Sequence, residues 1–187
     1  MGIGKIGVVG AGTMGNGIAQ ALAVAGRDVV MMDVGDAQVK RGLDTIGASL
    51  DRLIKKDKMS AADKAAAMAR ISTATSTSAL ADCDLVIEAA TEKVDLKLRI
   101  FAELDSVVKP EAILASNTSS ISITRLAAGT KRPSQVIGMH FFNPVPVMAL
   151  VELINGLQTS AATYAAVEEL AKSIGKSPIK VKNSPGF

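Results

Sequence analysis

Short apolar runs alternate with longer stretches in which apolar positions recur every three or four residues, a pattern that predicts strands separated by helices. Lys5 to Val9 reads as a first strand. Met14 to Ala25 reads as a helix with Ile18, Leu22 and Ala25 on one face and a stop at Gly26. Asp28 to Met32 reads as the second strand. Ala37 to Lys56 and Ala61 to Arg70 read as helices with polar outer faces, the later one opened by Ser60 with Asp63 three residues on. Asp84 to Ile87, Ala112 to Ala115 and Val136 to Met139 follow as buried strands, with a helix over Asp95 to Val107 between the first two. Leu150 to Ile154 and Ile179 to Val181 read as late strands, separated by a helix from Ala161 to Ile174 that has Ser160 as its N-cap and Gly175 past its end. Strands that alternate with helices in this way build an α/β fold around a mostly parallel sheet.

Composition narrows the classes of function. A chain of 187 residues fits one domain, residues 1–187, and can bury roughly 70% of its unfolded surface. With 48% hydrophobic and 21% charged residues it is globular, and disorder is excluded. The lone Cys83 rules out an internal disulfide and reads as a small buried hydrophobe, which fits a reducing compartment. The opening MGIGKIGVVG lacks the features of a secretory or transit leader, and no apolar run approaches the about 20 residues of a membrane span. A cytoplasmic protein without a membrane partner is expected. Aromatics make up 3% of the chain, Trp is absent, and the net charge of +3 is spread without a dense basic block, so nucleic acid is not an expected partner. His140 is the only histidine, so one imidazole must do all imidazole work and no metal site is expected.

Chemistry first enters at Gly10-Ala11-Gly12-Thr13-Met14-Gly15, directly after the first strand and before the first helix. In that context the motif is a dinucleotide fingerprint. Gly10 permits the tight turn, Gly12 lets backbone N–H groups approach a pyrophosphate, Gly15 lets the helix pack close to the strand, and the positive helix N-terminus faces the phosphates. Asp33 ends the second strand at the offset expected of a carboxylate that hydrogen-bonds the adenosine ribose. No Arg follows in Val34-Gly35-Asp36, so the expected cofactor is NAD rather than NADP.

Ligands of parallel sheets sit beyond the carboxyl ends of the strands. Ser116-Asn117-Thr118-Ser119-Ser120 follows one strand, and His140-Phe141-Phe142-Asn143 follows another. Twelve residues after the histidine, Glu152 interrupts an apolar strand. A buried carboxylate needs a cationic or N–H partner, and His140 is on offer. An imidazole oriented by a carboxylate, next to NAD, is the apparatus for deprotonating an alcohol while hydride leaves its carbon. A dehydrogenase of another hydroxy acid and a non-catalytic NAD-binding module are the competing readings.

The stretches GVVGAGTMGNGIAQ (7–20), SNTSS (116–120), HFFNPVPVM (140–148), LVE (150–152) and SPGF (184–187) together resemble the 3-hydroxyacyl-CoA dehydrogenases, and the resemblance covers essentially the whole chain. It implies a Rossmann-type doubly wound sheet and interconversion of (S)-3-hydroxyacyl-CoA and 3-oxoacyl-CoA with NAD. His140 would be the general base, Glu152 its orienting partner, and Ser119 the residue that holds the substrate's 3-oxygen. Glu92, Lys97 and Asn143 would join Gly10, Gly12, Thr13, Met14, Gly15 and Asp33 at the cofactor, and Ser49 and Lys56 would contact coenzyme A. Members of the family continue past the Pro-Gly-Phe turn into a helical domain that closes over the acyl chain and makes a homodimer. The resemblance therefore sets the expectation of a chain truncated at the hinge, able to bind NAD and only weakly active.

Overall fold

The structure is a computed structural model that describes residues 2–184; the turn at Pro185, Gly186 and Phe187, where the hinge is expected, lies outside them. One sheet runs in the order β3-β2-β1-β4-β5-β6-β7-β8. Its strands are β1 (Lys5–Val9), β2 (Asp28–Met32), β3 (Ile71–Ala74), β4 (Leu85–Glu88), β5 (Ile113–Ser116), β6 (Val136–Phe141), β7 (Leu150–Asn155) and β8 (Ser177–Lys182). The helices are α1 (Thr13–Val24), α2 (Asp36–Lys55), α3 (Ala61–Ala69), α4 (Val94–Val107), α5 (Ile123–Ala128) and α6 (Ala161–Ser173). This is the expected Rossmann-type, doubly wound fold.

Alternation along the strands sorts two cores. In β1, Ile6 and Val8 face one layer with Ile18 and Leu22 of α1, Ile46 of α2 and Leu170 of α6, while Val9 faces the other with Phe101 of α4 and Leu126 of α5. The strands of the sheet's middle are buried on both faces, so they read as continuous apolar runs rather than as alternating ones.

Every neighbouring pair is parallel except β6 with β7. The connection between those two is residues 142–149, too short for the crossover of a dozen or more residues that a parallel pair requires. Antiparallel pairing extends β6 to Phe141, opposite Val151, which puts His140 inside the strand rather than just beyond it. Two elements have no counterpart in the sequence reading. β3 is a four-residue edge strand, ISTA, without a fully buried position, and α5 has only six residues, so neither shows a readable period. β8 begins two residues before Ile179 because it pairs along the whole of β7.

The base of the sheet is held by Arg132, whose guanidinium donates to Asp105 Oδ1 at 2.7 Å and to the carbonyl oxygens of Asp105, Val108, Lys109 and Ala112. It thereby caps the C-terminal carbonyls of α4 with a cation. Cys83 is buried in the core, as expected, and that burial pushes its thiol up to about 11. Among the described residues, no helix is long and apolar enough to cross a membrane.

Candidate active site

The chain leaves β1 for β2 on one side, whereas β4 pairs on the other, so a crevice opens above the carboxyl ends of β1 and β4. Gly10 turns the chain there at φ +106°, a conformation that side chains with a Cβ rarely adopt. A methyl on Gly15 would lie 1.8 Å from the Gly10 carbonyl oxygen, so only glycine allows α1 to start this close to the turn. At Gly12 a methyl would meet nothing within 4 Å and would project into open space. Gly12 is also the N-cap of α1, with neither a side-chain cap nor an acidic residue in the first turn. The first N–H groups of the helix are thus left for an anion.

Asp33, at the end of β2, accepts from the Ala11 N–H through Oδ2 at 2.8 Å and from the Val34 N–H through Oδ1 at 2.7 Å. The carboxylate fixes the glycine turn and keeps lone pairs free for two further donors. Gly10, Gly12 and Asp33 line a cleft of about 680 Å³ whose far wall is Leu96, Ile100 and Glu103, with Thr77 donating to Glu103 at 2.6 Å. An apolar slot next to a carboxylate and an uncapped helix start suits an adenosine with its pyrophosphate, so the residues present fit a dinucleotide.

A second cavity, of about 300 Å³, gathers Met14, Glu92, Lys97, Asn117, Ser119, His140 and Asn143. Five of the residues singled out from the sequence, in separate parts of the chain, therefore share one wall with Met14 of the glycine motif. Asn117 helps to build it, since its Oδ1 accepts from the Phe141 N–H at 2.8 Å and ties the end of β5 to β6.

His140 and Glu152 are direct partners across the antiparallel β6–β7 pair and so project from the same face. His140 Nδ1 and Glu152 Oε1 are 3.8 Å apart. The expected hydrogen bond between them is therefore not formed, since 3.8 Å exceeds its reach. His140 Nδ1 and Glu152 Oε2 are both buried without a hydrogen-bond partner. The strand register brings the pair together, and the imidazole ring also packs on Phe142, with ring centroids 4.7 Å apart.

Lys97, in the first turn of α4, is buried rather than solvated. Its side chain is 1% exposed, and its ammonium lies 2.7 Å from Oε2 of Glu88 and 3.3 Å from Oε2 of Glu92. Glu88 is wholly buried and also accepts from the Ala90 N–H and the Ser116 hydroxyl, each at 2.7 Å. Glu92 Oε1 accepts from the Thr118 hydroxyl and from the Ser119 N–H. Burial pushes the Glu92 carboxyl up, but the Thr118 hydrogen bond and the Lys97 charge outweigh it and hold the group below the usual carboxylate range. Glu88 escaped the sequence reading although it carries the same signal as Glu152, a carboxylate closing the apolar run Leu85-Val86-Ile87.

Ser49 and Lys56 line neither cavity. Ser49 lies within the second half of α2 and Lys56 just past its end, on the helical stripe of Gln38, Arg41 and Thr45, which themselves border a further cleft beside Gly12 and Thr13. The structure thus sets them along one ridge leading away from the glycine turn.

Residues 5–184 match the family described as "3-hydroxyacyl-CoA dehydrogenase, NAD binding domain". The crystal structure of an (S)-3-hydroxybutyryl-CoA dehydrogenase from Ralstonia eutropha superposes with a TM-score of 0.97 at 64% identity, covering 99% of this chain and 65% of that one. A 3-hydroxybutyryl-CoA dehydrogenase of Bradyrhizobium diazoefficiens is 52% identical over 99% of this chain and 63% of its own length, and one of Clostridioides difficile is 46% identical over 98% and 65%. The chain thus spans a little under two thirds of the length of these relatives. By fold, motif and likeness alike, it belongs to the 3-hydroxyacyl-CoA dehydrogenase family and carries that family's NAD-binding domain.

Proposed function

We propose that the chain serves the NAD-dependent interconversion of (S)-3-hydroxyacyl-CoA, of the 3-hydroxybutyryl type, and 3-oxoacyl-CoA. The observation that carries this reading is His140, opposite Glu152 in register, in the same cavity wall as Ser119 and Asn143. The N–H groups at the start of α1 would hold the pyrophosphate and Asp33 the adenosine ribose, and the second cavity, which Met14 lines, would take the nicotinamide. When bound, the cofactor supplies the site that takes or returns hydride at the substrate's C3.

The rest is done by the chain. His140 takes the proton of the 3-hydroxyl, and since Nδ1 faces Glu152, Nε2 is the nitrogen left to do so. Glu152 stabilises the imidazolium once an approach of about 1 Å closes the pair to hydrogen-bond distance. Ser119 holds the substrate oxygen, and its backbone is anchored by Glu92. Residues 49 and 56 extend the binding surface toward coenzyme A along α2. The chain, 1–187, acts as one cofactor-binding domain in the cytoplasm, and homodimer formation belongs to the full-length protein through the family's helical domain rather than to this one.

Titration of NADH, NADPH and acetoacetyl-CoA against the chain tests the reading. NADH should bind at least tenfold more tightly than NADPH, because Asp33 repels a 2′-phosphate, and acetoacetyl-CoA should bind where free acetoacetate does not. Equal affinity for the two nucleotides, or binding of the free acid alone, rejects it.

A further inference from the structure

Three charged side chains that sequence position keeps apart meet beneath the second cavity. Glu88 closes β4, Lys97 sits in the first turns of α4, and Glu92 lies in the loop between them. Two carboxylates and one ammonium leave one net negative charge. Buried ion groups are poor devices for stability, because hydrophobic residues of the same volume do as well without the desolvation cost. Their value must then lie in the field they make. Glu92 and Lys97 line the cavity with His140, whereas Glu88 lies behind Lys97 and does not. Lys97 lies 2.7 Å from Glu88 and 3.3 Å from Glu92, so its one ammonium is shared between two carboxylates and the cluster at the cavity wall keeps one net negative charge.

The oxidised nicotinamide ring is a cation and the reduced ring is neutral, so a net negative wall favours the oxidised form alone. We propose that Glu88 is a positioning residue for redox-state selection: as the second carboxylate on the one ammonium of Lys97, it leaves the Glu92–Lys97 wall net negative toward the cationic ring and biases the cofactor site toward the oxidised dinucleotide. The inference rests on the function proposed above, which puts the nicotinamide in this cavity.

Glu88→Gln removes the charge, while its carbonyl oxygen can still accept from the Ala90 N–H and the Lys97 ammonium and its NH2 can donate to the Ser116 hydroxyl. Lys97 then pairs with Glu92 and the wall becomes neutral. A unit charge at about 8 Å in an effective dielectric of about 40 is worth about a factor of five in affinity. Fluorescence titration with NADH and competition with NAD should therefore show NAD binding weakened about fivefold in Glu88→Gln and NADH binding within twofold of the unaltered protein. A purely structural role would weaken both forms together, and an unchanged ratio of the two affinities overturns the inference. Should Glu88→Gln fail to fold, as judged by circular dichroism, Glu92→Gln carries the same test. Its side chain is 39% exposed, and selective loss of NAD affinity supports the inference while equal loss refutes it. If the unaltered chain binds neither nucleotide, the proposed function fails as well. If it binds both and the variants leave the ratio untouched, the inference alone fails.

Discussion

Gly12 and Gly15 stand three residues apart in one turn, yet the structure gives methyl groups there opposite consequences. At Gly15 a Cβ would lie 1.8 Å from the carbonyl oxygen of Gly10, against the 3.0 Å that real Cβ contacts keep. Both partners are backbone, so α1 and the turn must separate by about 1.2 Å, an overpacking that costs about 3 kcal/mol. In a domain of this size that lowers the melting temperature by about 6 to 12 °C. At Gly12 the backbone has φ −70°, which alanine adopts freely, and no protein atom lies within 4 Å of the new methyl. Stability should then stay within about 0.5 kcal/mol, the entropic gain of Gly→Ala offsetting the weaker N-cap. The methyl instead occupies the space where the pyrophosphate must approach the N–H groups. Gly12→Ala should melt within about 2 °C of the unaltered chain and bind NADH at least tenfold more weakly. Differential scanning fluorimetry and NADH fluorescence read the two effects separately. Wild-type NADH affinity in Gly12→Ala, or a loss of stability as large as that of Gly15→Ala, would refute the reasoning.

Further outcomes follow from particular groups. Arg132→Met removes the cation from the Asp105 carboxylate, which is 8% exposed and keeps only the Lys131 N–H. It also strips the carbonyl oxygens of Asp105 and Val108 of their side-chain donor, whereas those of Lys109 and Ala112 keep the Ala112 N–H and the Gln135 amide. It should cost about 3 to 5 kcal/mol in chemical denaturation while leaving NADH affinity within twofold, because the site lies at the other end of the sheet. Acid should destabilise the protein below about pH 4. The Asp84 carboxyl is pushed up by burial but held lower still by Lys109 and the N–H groups of Lys5 and Gly4. Its contribution is thus present above the ordinary carboxylate range and lost as pH falls through the depressed value. The Glu92 carboxyl is depressed as well and adds in the same sense. Urea midpoints measured from pH 6 to about pH 2.5 check this, and a flat profile contradicts it.

The parts of this architecture that sequence pattern could reach are those with a local period or a motif. β1 and β2 have the bounds that their apolar runs imply, and Ser60 and Ser160 cap α3 and α6 by accepting from the N–H groups three residues on, as their spacing foretells. The glycine turn was legible because its geometry is local. What escaped is what only pairing decides. The antiparallel turn of β7 follows from a short connection, and it alone sets His140 against Glu152. The 3.8 Å between those side chains is a matter of rotamers, which no spacing rule supplies. The burial of Lys97 was not legible, because the carboxylate that pairs with it, Glu88, belongs to a different element. Ser49 and Lys56 came from family resemblance, since a solvated stripe of α2 beyond Arg41 and Thr45 carries no local signal of a ligand.

The central claim is that His140 moves the proton and Glu152 orients it, so the decisive measurement is reduction of acetoacetyl-CoA by NADH in His140→Gln, followed at 340 nm beside a titration of NADH. Turnover should fall by about 10² to 10⁴ with NADH affinity within twofold, since the variant removes a general acid–base group and leaves the cofactor cleft intact. Turnover that survives the substitution, or that falls only in proportion to cofactor binding, would contradict the assignment.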